Sequence, residues 1–347
     1  FRKVVENKSL LLIHKHVSGN NSTTQSIMIK KKILTSFFLM FYVFAFSQKG
    51  ERIDISKEDP HNLYNFEQNE STELFYIRFV PKTKPKACLV ILPGAGELVE
   101  NVIEQINLHK LAVEKDILVV FPSLNWGTTK FIEEHKFLDK VFKNVIQQYQ
   151  IPQTKFIIGG LSGGGMVSMR YAERANENIK NTYIKPKAVF AIDSPLDFSH
   201  LYQQSERDIE RNFSEAAVNE SKWLIDRYNS EFGGSPKDVP LEYVKNSIYS
   251  QSEKDGGNAK FLSKTPIIIY TEPAIQWQMK NKQRDLYDLN CTDISAMINL
   301  LQIRGNKEAE LVVTHNKGIR PNGTKHPHSW SIMDSDKMLN WILEKLK

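Results

Sequence analysis

The fold of this chain is decided by the segment Phe156-Ile157-Ile158-Gly159-Gly160-Leu161-Ser162-Gly163-Gly164-Gly165. The segment contains a G-x-S-x-G sequence, preceded by an apolar run and followed by apolar residues at helical spacing. This order predicts a strand, a sharp turn and a helix, with Ser162 at the apex of the turn. Such a turn strains the backbone of the serine, needs small neighbours and points the hydroxyl out of the fold. We therefore predict that Ser162 is a nucleophile, with a plain glycine-rich turn as the alternative.

Apolar runs alternate with helical patterns along most of the chain. The predicted strands cover residues 75–80, 87–92, 117–121, 155–159, 188–192, 266–270 and 310–314. Apolar residues between Leu138 and Tyr149 recur at helical spacing, and a further helix ends the chain. Strands that are apolar throughout are buried on both faces, as in a parallel sheet between helices. The predicted fold class is α/β, with a mostly parallel central sheet flanked by helices, and such sheets bind ligands beyond the carboxyl ends of their strands.

One interval between two predicted strands is much longer than a crossover requires. Residues 196–262 are polar and contain helical patterns at 206–228 and 241–249. We interpret this interval as a helical cap inserted above the sheet. The alternative is an ornament that lies far from any site.

The first 71 residues are interpreted separately from the folded domain. Met28 is the first Met, and it precedes Lys30-Lys31-Lys32, an apolar run from Ile33 to Phe46 and then Ser47-Gln48. A basic start, a short apolar core and a small-x-small exit are typical of a secretory signal peptide, with an uncleaved anchor as the alternative. We interpret 1–27 as a spurious upstream extension, 28–47 as the signal peptide, 48–71 as a polar leader and 72–347 as the folded domain. This organisation predicts a secreted or periplasmic protein, which stays at a membrane only if the signal segment is uncleaved.

Composition and missing motifs exclude several kinds of function. A formal net charge of +6 over 347 residues is mild, and no basic stripe accompanies a recognisable module, so no nucleic-acid partner is expected. The sequence has no phosphate-binding loop, dinucleotide fingerprint or zinc-protease motif, and we expect neither a cofactor nor a metal. Cys88 and Cys291 are the two cysteines. Cys88 is interpreted as a buried, inert thiol, while a single disulfide between the two stays open.

Three motifs together resemble the α/β-hydrolase fold family. They are Gly160-x-Ser162-x-Gly164, the earlier loop Leu92-Pro93-Gly94-Ala95-Gly96 and the late His328-Ser329-Trp330, and the resemblance covers residues 72–347. It implies a nucleophile, an acid and a histidine in that chain order. It also implies an oxyanion hole made by the backbone N–H of Gly163 and by one N–H of the earlier loop, from Ala95 or Gly96.

The resemblance places the catalytic base on the loop before the last helix. A serine hydroxyl is a poor nucleophile until a base takes its proton. His328 is the histidine nearest that helix and is the favoured base, while His326 and His315 are alternatives and His200 comes too early in the chain. A metal site at His326-x-His328 is disfavoured, because no carboxylate or cysteine lies at a ligand spacing nearby.

The resemblance places the acid in the loop after the strand that follows the cap. Glu272 is the only carboxylate in that loop. Its role would be to accept the second ring N–H of the histidine and fix the tautomer. Asp193, at the end of the preceding predicted strand, is an alternative position, and Asp285 and Asp288 lie further on.

These residues imply an exported serine hydrolase that cleaves a small-molecule or polymer-linked ester through an acyl-enzyme on Ser162. Two alternatives stay open: a serine peptidase of the prolyl-oligopeptidase type, and a hydrolase-like binding module without catalysis. Peptidases of that type generally carry a large propeller domain, for which too few residues lie between the signal segment and the hydrolase region. The residues carry no signal of the acyl length or of an oligomeric state.

Overall fold

The predicted apolar runs form strands of an eight-stranded sheet. The computed structural model describes residues 50–66, 69–70, 73–125 and 129–347, so that the predicted upstream extension 1–27 and signal peptide 28–47 lie outside the described residues. The strands are β1 (Glu51–Ser56), β2 (Asn65–Phe66), β3 (Asn69–Glu70), β4 (Leu74–Phe79), β5 (Ala87–Leu92), β6 (Ile117–Pro122), β7 (Phe156–Leu161), β8 (Ala188–Ile192), β9 (Ile267–Thr271) and β10 (Ala309–Val313). β2 pairs with β3, and the other strands form the sheet in the order β1-β4-β6-β5-β7-β8-β9-β10.

The direction of the strands sets where a site can form. Strands β6, β5, β7, β8, β9 and β10 are parallel, whereas β4 and β1 are antiparallel at one edge. Every residue of β5 to β9 is buried, as expected for a parallel sheet covered on both faces. The prediction of an α/β fold with a mostly parallel central sheet is confirmed. Residues that follow β5, β7, β8, β9 and β10 meet at the same edge of the sheet.

The α-helices pack apolar stripes against this sheet. In the described residues they are α1 (Val99–Gln105), α2 (Leu108–Val113), α3 (Ile132–Tyr149), α4 (Gly163–Glu177), α5 (Phe198–Arg211), α6 (Glu215–Phe232), α7 (Pro240–Asn246), α8 (Ile275–Lys282), α9 (Asn290–Ile303) and α10 (Ser335–Lys345). The predicted stripe of α3 is buried up to Val145 and half-buried at Tyr149. Its Phe142 packs edge-on against Phe156 of β7, with ring centroids 5.5 Å apart. Burying a side chain of this kind contributes about 1.5–3 kcal/mol to folding. None of the described helices combines the length and the hydropathy needed to cross a bilayer.

The interval 48–71, interpreted from its polarity as a leader, also contributes an edge strand. β1 pairs antiparallel with β4, with Ile53 opposite Tyr76. Ile53 and Ile55 pack against the core, whereas the residues that alternate with them, Arg52 and Asp54, are exposed. An edge strand needs only one apolar face, so apolar residues alternate with polar ones along it. In a segment that is polar overall, this alternation is difficult to recognise. The interpretation as a leader missed this strand.

Residues between β8 and β9 form the predicted helical insertion, which consists of α5, α6, α7 and the 3-10 helix Gly257–Leu262. Aromatic packing holds it together: the ring centroids of Phe198 and Tyr228 lie 5.3 Å apart and those of Phe232 and Tyr243 4.8 Å apart. Phe198 also approaches Phe131, just before α3, at 6.0 Å. The insertion is therefore anchored by packed rings to the part of the domain that carries the sheet.

Candidate active site

Ser162 occupies the sharp turn between β7 and α4. Its φ of 52° and ψ of −117° lie in a region that residues with a side chain rarely adopt. Close backbone approach explains the glycines around it, since a Cβ on Gly160 would lie 2.3 Å, and one on Gly164 2.4 Å, from the carbonyl oxygen of Leu92. The N–H of Ser162 donates to the carbonyl of Ile192 at 2.9 Å, which ties the turn to the end of β8. Within the described part of the chain its Oγ has no hydrogen-bond partner, and Ser162 lines a cavity of about 310 Å³.

Two backbone N–H groups lie next to the serine. A Cβ placed on Gly163 would be 3.7 Å from the nitrogen of Ala95. Gly163 is the first residue of α4, so its N–H has no partner inside the helix, and the positive end of the helix dipole points at the same place. The N–H of Gly96 donates instead to the carbonyl of Asn125 at 2.9 Å. Of the two loop candidates, Ala95 is therefore the one whose N–H has no hydrogen bond among the described residues.

Glu97 holds the loop that carries Ala95, a role that the sequence did not indicate. Its Oε2 accepts the N–H of Gly94 at 2.8 Å and the indole N–H of Trp330 at 3.0 Å. Trp330 is buried and follows His328 by two residues. One carboxylate therefore connects the Ala95 loop to the segment that carries the predicted base.

His328 lies on the loop after β10, as predicted, and lines the same cavity as Ser162. Its Nδ1 is 2.8 Å from Oδ2 of Asp193, the residue that follows β8. An ionised carboxylate can only accept, so in the neutral imidazole Nδ1 carries the proton and Nε2 keeps a lone pair that can take a proton from a hydroxyl. Asp193 is fixed in turn by the hydroxyl of Thr271, which donates to its Oδ1 at 2.7 Å. The side chains of His328 and Asp193 are 32% and 14% exposed, respectively, so their pairing is largely shielded from water.

Glu272, the expected acid, has other partners in the structure. Its Oε2 accepts the hydroxyl of Thr314 at 3.0 Å and the N–H of Lys317 at 2.8 Å, and its Oε1 accepts the N–H of Gly318 at 3.2 Å. These bonds fold the chain just after β10 and bury the carboxylate. The choice of Glu272 is therefore corrected: the structure pairs His328 with Asp193, the alternative position at the end of the preceding strand.

The remaining carboxylate candidates are occupied elsewhere. The guanidinium of Arg207 lies 2.5 Å from Asp285, and that of Arg211 lies 2.7 Å from Asp288. Both arginines belong to α5. Asp285 and Asp288 therefore hold the insertion to the segment before α9, and among the described residues neither is hydrogen-bonded to His328.

The other histidines after Ser162 also have structural partners or lie apart. His200 pairs with Asp293, with Nδ1 and Oδ2 2.7 Å apart, and so links α5 to α9. His315 is exposed. His326 lines the cavity, and burial lowers its pKa to about 4, with help from the charge of Arg320. This low pKa keeps its imidazole neutral near neutral pH.

The helical insertion forms one wall of the cavity. Leu201 and Gln204 of α5 and Trp223 and Leu224 of α6 line it together with the serine turn. The predicted cap therefore lies over the site, and the alternative of a remote ornament does not describe this chain. A cavity of this volume suits a small molecule or one part of a longer one.

Both cysteines are buried and unpaired. Burial raises the pKa of the Cys88 thiol well above its usual range and that of Cys291 to about 11. Both therefore stay protonated and unreactive, and the disulfide that the sequence left open is not formed. Within the residues that the structure describes, no group of His, Cys, Asp or Glu is arranged as a metal site.

No protein-family model and no curated protein matches this sequence. Among solved structures, an esterase from the archaeon Pyrobaculum calidifontis has a TM-score of 0.52 at 15% identity, over 93% of this chain and 90% of that one. Esterase B from Lactobacillus rhamnosis has a TM-score of 0.51 at 9% identity, over 94% and 96% of the two chains. An acylaminoacyl peptidase from Pyrococcus horikoshii has a TM-score of 0.51 at 13% identity, over 86% of this chain but 42% of its own.

The chain thus spans less than half the length of that peptidase. Identities this low compare folds and not activities. The order of the strands, the turn that carries Ser162 and these structural similarities agree with one another. The chain has the α/β-hydrolase fold.

Proposed function

We propose that this protein is an exported serine hydrolase that cleaves a carboxylic ester. The observation that carries the proposal is one cavity lined by Ser162, by the His328–Asp193 pair and by Ala95 and Gly163. A nucleophile, a base with a fixed tautomer and two N–H donors that no described residue engages are the parts that acyl transfer needs.

The proposed reaction runs through an acyl-enzyme. Ser162 Oγ attacks the ester carbonyl while His328 Nε2 takes its proton, and the negative oxygen of the tetrahedral intermediate accepts the N–H groups of Ala95 and Gly163. The bond to the leaving oxygen then breaks, and His328 gives its proton to the departing alkoxide. Water, deprotonated by His328, attacks the acyl carbon, and the acid leaves as Ser162 recovers its proton. Asp193 stays ionised throughout and stabilises the imidazolium.

An ester is favoured as the substrate class by the solved structures with a similar fold that are named as esterases. The esterases with similar folds are covered over nearly their whole length. A panel of short p-nitrophenyl esters and of chromogenic peptides separates the two classes.

The central test is Ser162→Ala. We expect hydrolysis of p-nitrophenyl acetate to fall by a factor of at least 10³, to the level left by the oxyanion donors alone, because no nucleophile remains. The wild-type protein should react covalently at Ser162 with a fluorophosphonate probe, as measured by intact mass. Turnover that survives in the variant, or a wild-type protein that the probe leaves unlabelled, would contradict the proposal and favour a binding module.

Export is proposed from residues 28–47, which lie outside the described residues. Expression of the chain from Met28 in a bacterium with a periplasm is expected to yield a shortened protein whose first residue lies near Gln48. Terminal sequencing of the periplasmic fraction measures this. A full-length protein in the membrane fraction would instead indicate an uncleaved anchor.

A further inference from the structure

Two cations in the wall of the cavity have no carboxylate partner among the described residues. Lys282 lies in the last turn of α8, is half-buried and lines the cavity, and its Nζ forms no hydrogen bond or ion pair with any residue that the structure describes. Arg320, an exposed residue of the loop after β10, also lines the cavity, and the only hydrogen bond of its side chain among those residues is to His326. Lys282 is held partly out of water without a counter-ion, which is costly, and a ligand is one way to supply the missing charge.

The acids of the same wall cannot neutralise these cations, because most of them are already engaged. Asp208 accepts the guanidinium of Arg284 at 3.0 and 3.1 Å. Asp193, Glu272 and Asp288 have the partners given above. Glu220, on the exposed side of α6, is near enough to raise the pKa of Lys282 but not near enough for an ion pair.

The cations also oppose one another. The pKa of Lys282 lies below its ordinary value, first because of burial and then because of the charges of Arg284 and Arg320. The charges of Arg320 and Lys282 likewise help to lower the pKa of His326. Lys282, Arg284, Arg320 and His326 all line the cavity, and an anion bound in a region that they share would relieve this repulsion.

This region adjoins the catalytic base. Arg320 can only donate, so its Nη2, 3.2 Å from Nε2 of His326, fixes that nitrogen as an acceptor. Nδ1 of His326 then carries the proton and donates to the carbonyl of His328 at 3.1 Å. The rings of the two histidines are 6.4 Å apart. A short chain of contacts thus joins Arg320 to the loop of His328.

The side of the ester that faces this region follows from the chemistry. In the proposed reaction the carbonyl oxygen lies at Ala95 and Gly163, and the leaving oxygen must reach the proton on His328. A group attached to the leaving alcohol therefore lies on the His328 side of the intermediate, where His326 and its partner Arg320 follow along the cavity wall. We propose that Lys282 and Arg320 bind an anionic oxygen group, carboxylate, phosphate or sulfate, on the leaving alcohol of the ester. This inference rests on the proposed function and specifies its substrate class.

The first test compares two esters that differ in one charge. 4-Acetoxybenzoate carries a carboxylate on its leaving phenol, and its methyl ester is the neutral match. We expect the wild-type protein to favour the anion in kcat/KM. Lys282→Met keeps the apolar stem and should lower the ratio of the two kcat/KM values about 10- to 100-fold, as expected for loss of a hydrogen bond to a charged group. Glu220→Gln should raise the ratio, because it removes a repelling charge.

Lys280→Met is the matched control, since Lys280 lies on the same helix, is exposed and does not line the cavity. We expect it to leave the ratio unchanged. A wild-type protein without preference for the anion, or a Lys282 variant that loses the same factor on both esters, would overturn the inference. Preference for monophenyl succinate, which carries its charge on the acyl side, would overturn the assignment to the leaving alcohol.

A second measurement does not depend on turnover. In a Ser162→Ala background, calorimetry with 4-hydroxybenzoate, the product alcohol, should show binding that weakens with added salt and falls at least tenfold with Lys282→Met. Binding that ignores Lys282 refutes the inference even if esters are cleaved. Binding that requires Lys282 in a protein that cleaves no ester would leave the anion site standing and refute the proposed function.

Discussion

The pairing of His328 with Asp193 makes a prediction that separates two carboxylates. Asp193→Asn removes the charge from the acceptor of His328 Nδ1 but keeps its shape. Thr271 donates to Oδ1 at 2.7 Å, so the amide oxygen is expected to stay there and the amide NH₂ to face the histidine. A donor in that position forces the proton of His328 onto Nε2, where the ring can no longer accept from Ser162.

The size of the effect follows from the geometry. With Nδ1 and Oδ2 2.8 Å apart, the centres of the two charges lie about 4 Å apart when the imidazolium forms. At an effective dielectric constant of about 20, this attraction is worth about 4 kcal/mol. Each 1.36 kcal/mol is a factor of ten in rate, so kcat should fall about 10³-fold, before any further loss from the wrong tautomer.

Glu272→Gln is the paired variant. Its carboxylate accepts from Thr314, Lys317 and Gly318 and not from the histidine, so an amide there loses at least one bond to a backbone N–H. We expect the free energy of unfolding to fall by about 1.5–3 kcal/mol and kcat to change less than fivefold. The assay is the kcat for p-nitrophenyl acetate with the Ser162→Ala rate subtracted, and urea unfolding gives the stability. A 10³-fold loss in the Glu272 variant, with near-normal turnover in the Asp193 variant, would refute this assignment of the acid.

Two further predictions concern the loop that carries Ala95 and the acid side of the stability curve. Glu97→Ala removes the carboxylate that accepts from Gly94 N–H and from Trp330, so the loop should lose its fixed position. We expect kcat to fall about tenfold or more with a smaller change in KM, and Glu97→Gln to recover part of the lost kcat. Equal losses of kcat in the two variants would contradict a positioning role. His109 is 1% exposed and lies between Phe79 and Phe121, and burial lowers its pKa to about 4. Below about pH 6.5 this histidine is therefore protonated in the unfolded chain but stays neutral in the folded one. The free energy of unfolding consequently falls as the pH falls towards 4. In the wild-type protein the free energy of unfolding, measured by urea titration, is expected to decrease between pH 7 and pH 4. His109→Leu should make this decrease smaller by about 3 kcal/mol. A decrease of the same size in the variant would show that His109 is not its cause.

The serine turn could be identified from the sequence because its physics is local. A Cβ on Gly160 or Gly164 would meet the carbonyl of Leu92, so the turn requires glycine at fixed spacing around Ser162. Apolar runs likewise predicted the buried strands, since both faces of a parallel strand need apolar side chains. The edge strand β1 escaped notice because it buries one face only.

The acid and the loop donor depended on tertiary structure. Asp193 and Glu272 follow adjacent parallel strands, so both lie at the same edge of the sheet. Their positions in the sequence do not indicate which of them forms a hydrogen bond with His328, which lies far along the chain. The path of the chain after β10 decides it, because its backbone N–H groups at Lys317 and Gly318 take the oxygens of Glu272. In the same way, the carbonyl of Asn125 accepts the N–H of Gly96, whereas the N–H of Ala95 has no acceptor in the part of the chain that the structure describes.

The sequence alone therefore determined the parts whose cause is a neighbour in the chain: the strained serine, the apolar strands and the position of His328 on the last loop. Only the tertiary structure decided which distant polar groups satisfy one another. Each buried donor or acceptor forms a hydrogen bond with one of several chemically equivalent groups. Which group it is depends on distances in the folded chain, and these cannot be read from the neighbouring residues in the sequence.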